Sequence, residues 1–474
     1  MDGSDLTITE EARQSHLHII GTTSEGKSKF LEWLIRGDID RGNGLVFFDP
    51  SDRGDTMYKV LAYCAKKKHE KVLVIDAHHR YLYNKVAPIN PLGKYKEVSI
   101  ANLQDTFRVL FNVRDAAETA RIQRYLTAII SVLWSAKATL ADSLYFTEPG
   151  YIYQRVKILE QSDESDRHRL ALEEVFKSRA MYLNELQSTV RRLEPLFHPT
   201  LSTMLSHTEG IDFARLIADR WVILVNLYSG FGFEPIHTRL LGTLIINEII
   251  SAIDRLRAGN WRGVYYLYLD EAGRYANRNL ADLLAYKRKS GLRVVLAHQY
   301  WRQFEDPYIS EAVKELCKIK VAFFQPDAAE RLETVKAMYG GELKDRDVSY
   351  ALSNLRKQHC VIKKPKQQPM LVRVPDVADI QVDIKPYLEQ IYKNPIYKTP
   401  DDARPTHHNT KSPRTRKADD RPAARTDSVP SRNESFEDLQ VRFAVPVSPR
   451  VSTDAPNPSG PSGGKRQARK KKEA

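Results

Sequence analysis

Three cysteines in 474 residues, Cys64, Cys317 and Cys360, are too few and too scattered for a disulfide framework, a zinc ribbon or a CxxC redox pair. Their scarcity points to a reducing compartment. Long apolar runs are also missing: Ala128 to Trp134 and Val222 to Leu227 fall well short of the ~20 residues a bilayer crossing needs. No transmembrane segment is therefore expected. The opening Met1-Asp2-Gly3-Ser4-Asp5 lacks the cationic-then-apolar pattern of a signal peptide, so the expected localisation is cytoplasmic, with membrane contact only through a partner or a basic segment.

Positive charge is what the chain has in excess. Lysine and arginine number 73 against 60 acidic residues, a formal net charge of +13, which suits a polyanionic partner, nucleic acid first and an anionic membrane surface second. A hydrophobic content of 42% fits a globular protein that carries an appreciable unfolded portion.

The stretch that organises the rest is Gly21-Thr22-Thr23-Ser24-Glu25-Gly26-Lys27-Ser28. It lies between the apolar run His18-Ile19-Ile20 and the helix-like Lys29-Phe30-Leu31-Glu32-Trp33-Leu34-Ile35-Arg36. Strand, tight loop and helix in this order make a phosphate-binding loop. Gly21 and Gly26 free the backbone to aim amide N–H groups at a phosphate from a helix N-terminus. In such a loop Lys27 bridges the β- and γ-phosphates and the Ser28 hydroxyl takes a place on Mg²⁺.

Leu45-Val46-Phe47-Phe48-Asp49-Pro50 and Lys71-Val72-Leu73-Val74-Ile75-Asp76 each read as a buried strand ending in a carboxylate. With the helices between them they predict an α/β fold, a parallel sheet flanked by helices. From about 102 to 205 the apolar spacing turns to 3.6, as in Ile122, Tyr125, Leu126, Ile129 and Ile130, which predicts an all-α insert. Such an insert either packs as a lid or presents Arg108, Arg114, Arg121, Arg124, Arg191 and Arg192 to a substrate.

The sheet resumes with Trp221 to Leu227, and Val264-Tyr265-Tyr266-Leu267-Tyr268-Leu269-Asp270-Glu271 ends an apolar strand in two carboxylates, the usual partner of a phosphate loop. Asp270 then serves Mg²⁺ and Glu271 orients the attacking water. Leu292 to Ala297 releases His298-Gln299 at its end, which sets Gln299 toward the γ-phosphate or the lytic water. Ile319 to Phe324 is expected as the last core strand and Ala328 to Tyr339 as the last helix, followed by a short edge hairpin at Cys360–Ile362 and Met370–Pro375. The expected divisions are 1–101 and 206–397 for the two parts of the sheet domain, 102–205 for the insert, and 398–474 for a disordered, basic, Pro/Ser-rich tail.

Taken in order, the phosphate loop, Phe48-Asp49-Pro50, Asn90-Pro91-Leu92, the helical insert, Val225-Asn226-Leu227, Leu269-Asp270-Glu271, Arg288-Lys289-Ser290-Gly291-Leu292 and Ala297-His298-Gln299 resemble the FtsK/HerA superfamily of DNA-pumping ATPases. Within it the chain is most similar to the type IV secretion and conjugation coupling proteins of the TraD/TraG kind. The resemblance spans roughly residues 15 to 376 and implies a RecA-like P-loop NTPase that hydrolyses ATP with Mg²⁺ and moves DNA as a homo-hexameric ring. It also implies relaxase or secretion-channel proteins as further partners. On it, Lys27, Glu271, Gln299 and Arg288 are the catalytic residues, Arg288 acting on the nucleotide of a neighbouring subunit; Gly21 to Ser28 bind nucleotide, and Ser28 and Asp270 hold the metal. The chain departs from the family at Ser24, where glycine is usual, and at Glu25, where a small residue is. Two other readings stand beside transfer: a HerA-like motor paired with a nuclease, and a nucleotide-switched DNA-binding adaptor.

Overall fold

Seven of the apolar runs pair in parallel within one sheet. The computed structural model describes residues 8–111, 116–148, 150–163, 166–276, 278–286, 291–304, 306–339 and 346–403; Arg114, Arg288 and the 404–474 tail lie outside the described residues. The strands are β1 (Leu17–Ile20), β2 (Gly44–Asp49), β3 (Val72–Asp76), β4 (Val222–Asn226), β5 (Tyr265–Leu269), β6 (Leu292–His298), β7 (Ile319–Ala322), β8 (His359–Lys363) and β9 (Met370–Arg373). Their order across the sheet is β3-β4-β2-β5-β6-β1-β7-β8-β9. Only β8 and β9 run antiparallel to their neighbours. Every residue of β2, β3, β4 and β5 is buried, as strands covered on both faces must be. This is the expected P-loop NTPase architecture.

Helices α1 (Lys27–Asp40) and α2 (Asp55–Lys66) follow β1 and β2. Between β3 and β4 the described residues hold no strand and form α3 (Lys96–Phe111), α4 (Ala116–Ser135), α5 (Ile152–Gln161), α6 (Arg167–Val175), α7 (Gln187–Leu193) and α8 (Pro199–Leu205), with shorter turns among them. The next helix, α9 (Pro235–Ala258), buries Leu240, Leu244, Ile245, Ile249 and Ile253. Asn247 stitches it to α3, donating to the Asn102 carbonyl at 3.0 Å and to Thr106 Oγ1 at 3.0 Å. By length and composition α9 is apolar enough to cross a membrane, although 72% of its most apolar window is buried inside the protein. The run-length reading overlooked it because Thr238, Thr243, Asn247 and Glu248 interrupt the apolar sequence.

Helices α10 (Arg278–Tyr286), α11 (Pro307–Leu316) and α12 (Ala328–Tyr339) accompany the remaining parallel strands. The expectation that Ala328–Tyr339 is the last helix fails: α13 (Arg346–Ser353) precedes the hairpin and α14 (Lys385–Tyr392) follows it. These helices are short, so their periodicity is weak in the sequence.

A buried ion pair fixes the start of the chain. Arg13 donates to both carboxylate oxygens of Asp38, at 2.6 and 2.8 Å, and to the Tyr268 hydroxyl at 2.6 Å, while Tyr268 donates to Asp38. Burial works against the charge on Asp38, but Arg13, Tyr268 and Arg41 together hold its carboxyl below the usual range. The lead-in, the end of α1 and strand β5 are thereby joined in one paired group.

After β9 the chain runs as a strap to the far edge of the sheet. Ala378 accepts from Arg36 at 2.7 Å, Tyr387 donates to the His69 carbonyl at 2.5 Å, and Lys398 pairs with Val86. Order thus continues past the expected tail boundary at 398, through a capped turn at Pro400–Asp402. The buried Tyr397 hydroxyl receives the Val74 N–H at 2.7 Å and donates to the Val74 carbonyl at 2.9 Å. One side chain thus satisfies the backbone groups that edge strand β3 would leave unpaired. Tyr397→Phe should cost about 1–3 kcal/mol, the penalty for stranding buried backbone groups, read as a lowered midpoint in thermal or urea unfolding; an unchanged midpoint would show that the hydroxyl seals nothing.

Candidate active site

The parallel pairing of β1 with both β6 and β7 builds the site. Ile20 lies opposite His298 on one side and Ala322 on the other. The loop that leaves β1 is therefore anchored on both flanks: Gly21 N–H donates to the His298 carbonyl at 3.3 Å, and Thr22 N–H to the Phe324 carbonyl at 3.2 Å. Gly21 has φ +152°, and a Cβ there would lie 2.5 Å from Phe323 Cβ. Gly26, at φ +116°, would meet Gln358 Cα at 3.2 Å. Glycine is required at both by backbone conformation and close approach.

The loop opens on a cleft of about 390 Å³ lined by Thr23, Ser24, Gly26, Lys27 and Ser28 together with Asp52, Asp270, Glu271 and Gln299. Gly21, Thr22 and Glu25 are not among its lining residues. The Glu25 backbone carbonyl instead accepts from Gln358 N at 2.9 Å.

Lys27 is only 6% exposed, its Nζ 3.7 Å from Glu271 Oε1 and 3.3 Å from the His298 carbonyl, to which it donates. Burial pulls its pKa down while Glu271 and Asp270 push it back up. Asp270 is 5% exposed. Burial, then the charges of Glu271 and Asp49, raise its carboxyl to about 7, with Lys27 opposing. A carboxylate so crowded by others is short of positive charge.

Glu271 stands in the left-handed region at φ 47°, which turns its side chain back across the cleft. Gln299 Nε2 donates to Glu271 Oε1 at 2.7 Å, and Gln303 Nε2 to Oε2 at 3.2 Å. Asp49, last residue of β2, is buried and accepts from Ser51 N at 2.9 Å and Met57 N at 2.6 Å. Its role is thus to shape the loop that brings Ser51 and Asp52 to the cleft.

Under the loop lies a pair of buried histidines. His298 Nδ1 donates to the Tyr300 carbonyl at 2.8 Å, which leaves its Nε2 as the acceptor for His18 Nε2–H at 2.6 Å. Burial lowers the pKa of both rings, that of His298 to about 3. The Trp301 ring packs on both, with centroids 4.6 and 5.2 Å away.

Lys27, Ser28, Asp270, Glu271 and Gln299 are therefore brought together, whereas Arg288 lies outside the described residues. Sequence reasoning missed Arg274, Lys357 and Gln358, which also line the cleft, and Gln303. The hairpin brings in Lys357 and Gln358 through tertiary folding, which leaves no local signal. Arg274, three residues beyond Glu271, was visible in the sequence.

A family model described as the TraM recognition site of TraD and TraG matches residues 265–372, from β5 into β9. The bacterial conjugative coupling protein TrwBdeltaN70, in its unbound monoclinic form, superposes with a TM-score of 0.56 at 16% identity over 79% of this chain and 89% of that one. Residues 265–372 are thus TraD/TraG-like. The plasmid coupling protein TrwB in complex with ADP and Mg²⁺ gives a TM-score of 0.54 at 16% identity over 78% of this chain and 88% of that one. TrwB with the non-hydrolysable GTP analogue GDPNP gives 0.53 at 15% over 80% and 91%. At these identities the likeness to solved structures is one of fold. No curated protein matches the sequence.

Ser24 has φ 64°, the left-handed conformation that glycine adopts at least cost. Ser24→Gly should leave the unfolding temperature unchanged or higher. Ser24→Val should lose on the order of 1 kcal/mol relative to serine, the added penalty of a β-branched side chain in the left-handed region, in thermal unfolding without nucleotide. A valine variant as stable as the parent would contradict this backbone assignment.

Proposed function

We propose that this chain is an ATPase of conjugative DNA transfer, a coupling-protein-like motor that works as a homo-hexameric ring and draws DNA along it. The observation that carries this reading is the convergence of Lys27, Ser28, Asp270, Glu271 and Gln299 on one cleft within a coupling-protein fold. TrwB itself is known with ADP and Mg²⁺ bound. The net charge of +13 suits a sequence-independent grip on a phosphate backbone. The nuclease-paired motor and the slow adaptor draw no support from the comparisons.

In this reading the hydroxyl of Ser28 and the carboxylate of Asp270 hold Mg²⁺. Both are hard oxygen donors, and Asp270 sits where negative charge is crowded, which fits a small divalent cation. The chemistry such an ion would supply between Ser28 and Asp270 is neutralisation of phosphate charge. Lys27 leaves Glu271 for the phosphate oxygens, since a triphosphate is the stronger anionic partner. Glu271, freed from that ion pair yet still held by two glutamine amides, orients a water and accepts its proton. Gln299 stands beside it to report the γ-phosphate.

Arg288 is assigned to the adjoining subunit's nucleotide, where an arginine in trans offsets charge only once the interface closes. The segment 102–205 is taken as an all-α insert that meets substrate, between the sheet-domain parts 1–101 and 206–397, and the basic tail expected from 398 is taken to begin beyond the capped turn at Pro400–Asp402. Relaxase or secretion-channel proteins are the further partners, and a cytoplasmic setting fits three buried, free cysteines.

DNA-stimulated ATP hydrolysis by the full chain tests the assignment. Lys27→Ala and Glu271→Gln should each cut turnover on the order of 10²-fold or more, with Glu271→Gln still binding nucleotide. Hydrolysis that both variants retain would remove the motor assignment. A second expectation follows from Asp270. Its carboxyl holds a proton up to about pH 7 and must release it to take a cation, so Mg²⁺–nucleotide affinity should climb with pH by up to about tenfold per unit below 7 and level off above. Titration of affinity between pH 6 and 8 reads this directly, and a flat profile would contradict it.

A further inference from the structure

The residue that sequence reasoning missed and the structure ties most closely to the proposed chemistry is Gln303, at the end of the short 3₁₀ turn Trp301–Gln303. Its side chain folds back over its own turn. Oε1 accepts from Gln299 N at 2.7 Å and from Tyr300 N at 3.1 Å, and Nε2 donates to Glu271 Oε2 at 3.2 Å. Because Gln299 Nε2 donates to the other oxygen of Glu271 at 2.7 Å, the carboxylate receives an amide N–H on each oxygen from two different glutamines. One of those glutamines holds the backbone of the other.

The turn is held in place independently of the cleft. Trp301 N donates to Glu330 Oε2 at 2.7 Å, and Trp301 Nε1 to Thr334 Oγ1 at 3.0 Å, both on α12. On the opposite side Gly273, two residues after Glu271, comes so close that a Cβ there would lie 2.6 Å from Gln303 Cβ and 2.9 Å from the Gln303 carbonyl. The loop after β5 and the turn after β6 are thus fitted to each other at a place where no side chain has room.

We propose that Gln303 is a positioning residue for hydrolysis: through one amide it fixes the orientation of Glu271 and the placement of Gln299, and it anchors both to the Trp301 turn and α12. A carboxylate that must aim at a water gains from having its rotation fixed at both oxygens, since misplacement by about 1 Å costs on the order of 10²-fold in rate. When Lys27 turns to the phosphates, the two glutamine amides are what keep Glu271 in line. This rests on the ATPase reading above and adds to it a residue that the phosphate loop and acidic motif do not contain.

The two halves of the Gln303 amide separate this role from simple turn capping. Gln303→Glu keeps an oxygen to accept from the two backbone N–H groups but replaces the donor to Glu271 by a second carboxylate that repels it; Gln303→Met removes both bonds at similar volume and without added charge. If Gln303 positions Glu271, both variants of the full chain should lose about 10- to 100-fold in kcat, while affinity for a fluorescent ATP analogue stays within about threefold. Q303E should also unfold within a few degrees of the parent. If Gln303 only caps the turn, Q303E hydrolyses ATP at the parental rate, and that result overturns the proposal. So does a parallel loss of kcat and nucleotide affinity in both variants. A parent chain with no Lys27-dependent hydrolysis would bring down the ATPase reading together with this one, an outcome distinct from an active parent with an unaffected Q303E.

Discussion

A lysine ammonium with almost no access to water is the constraint around which this molecule is arranged. Lys27 opens α1 at the foot of the phosphate loop, and its buried charge is tolerable only because Glu271 and Asp270 stand across the cleft. The reverse holds as well: Asp270, beside two other carboxylates, has Lys27 as the neighbour that lowers its pKa. Breaking either side leaves an uncompensated buried charge, the costliest kind of loss. The strand order places β1 one strand away from β5, with β6 between, which puts both motifs on one edge at the required distance.

Beneath that cleft the His18–His298 pair is hydrogen-bonded and held neutral by burial, with the buried Lys320 opposite His18 on β7 adding to the pressure against protonation. Farther along α1, Arg13 and Asp38 satisfy each other in the protein interior, holding the helix near its second end as the phosphate loop holds it at the first.

Much of this was legible in the sequence, for definite reasons. Continuous apolar runs such as Leu45–Phe48 and Val72–Ile75 can only be strands covered on both faces, and Gly21, Gly26 and Lys27 sit at spacings that few structures other than a phosphate loop require. Asp270-Glu271 and Gln299 were readable because each follows such a run immediately. Hidden were contacts made by return of the chain: Lys357 and Gln358 reach the cleft from a hairpin on the far side of β7, and Gln303 matters only through the fold of its turn. The insertion of β4 between β3 and β2 leaves no local trace either, since pairing partners are chosen by tertiary packing. Order past the expected boundary at 398 rests on the Lys398–Val86 bridge and the Thr399–Asp402 cap, of which only the cap has a local signature that composition does not weigh.

The strap from β9 to the β3 edge has a mechanical meaning. It carries the polypeptide off the hairpin beside the cleft and delivers it, at Ala403, on the opposite margin of the sheet. A pull exerted at Ala403 therefore meets the capped Pro400–Asp402 turn and then the Lys398–Val86 bridge, and must open both and withdraw Tyr397 before it can strain the margin that carries Lys27 and Glu271.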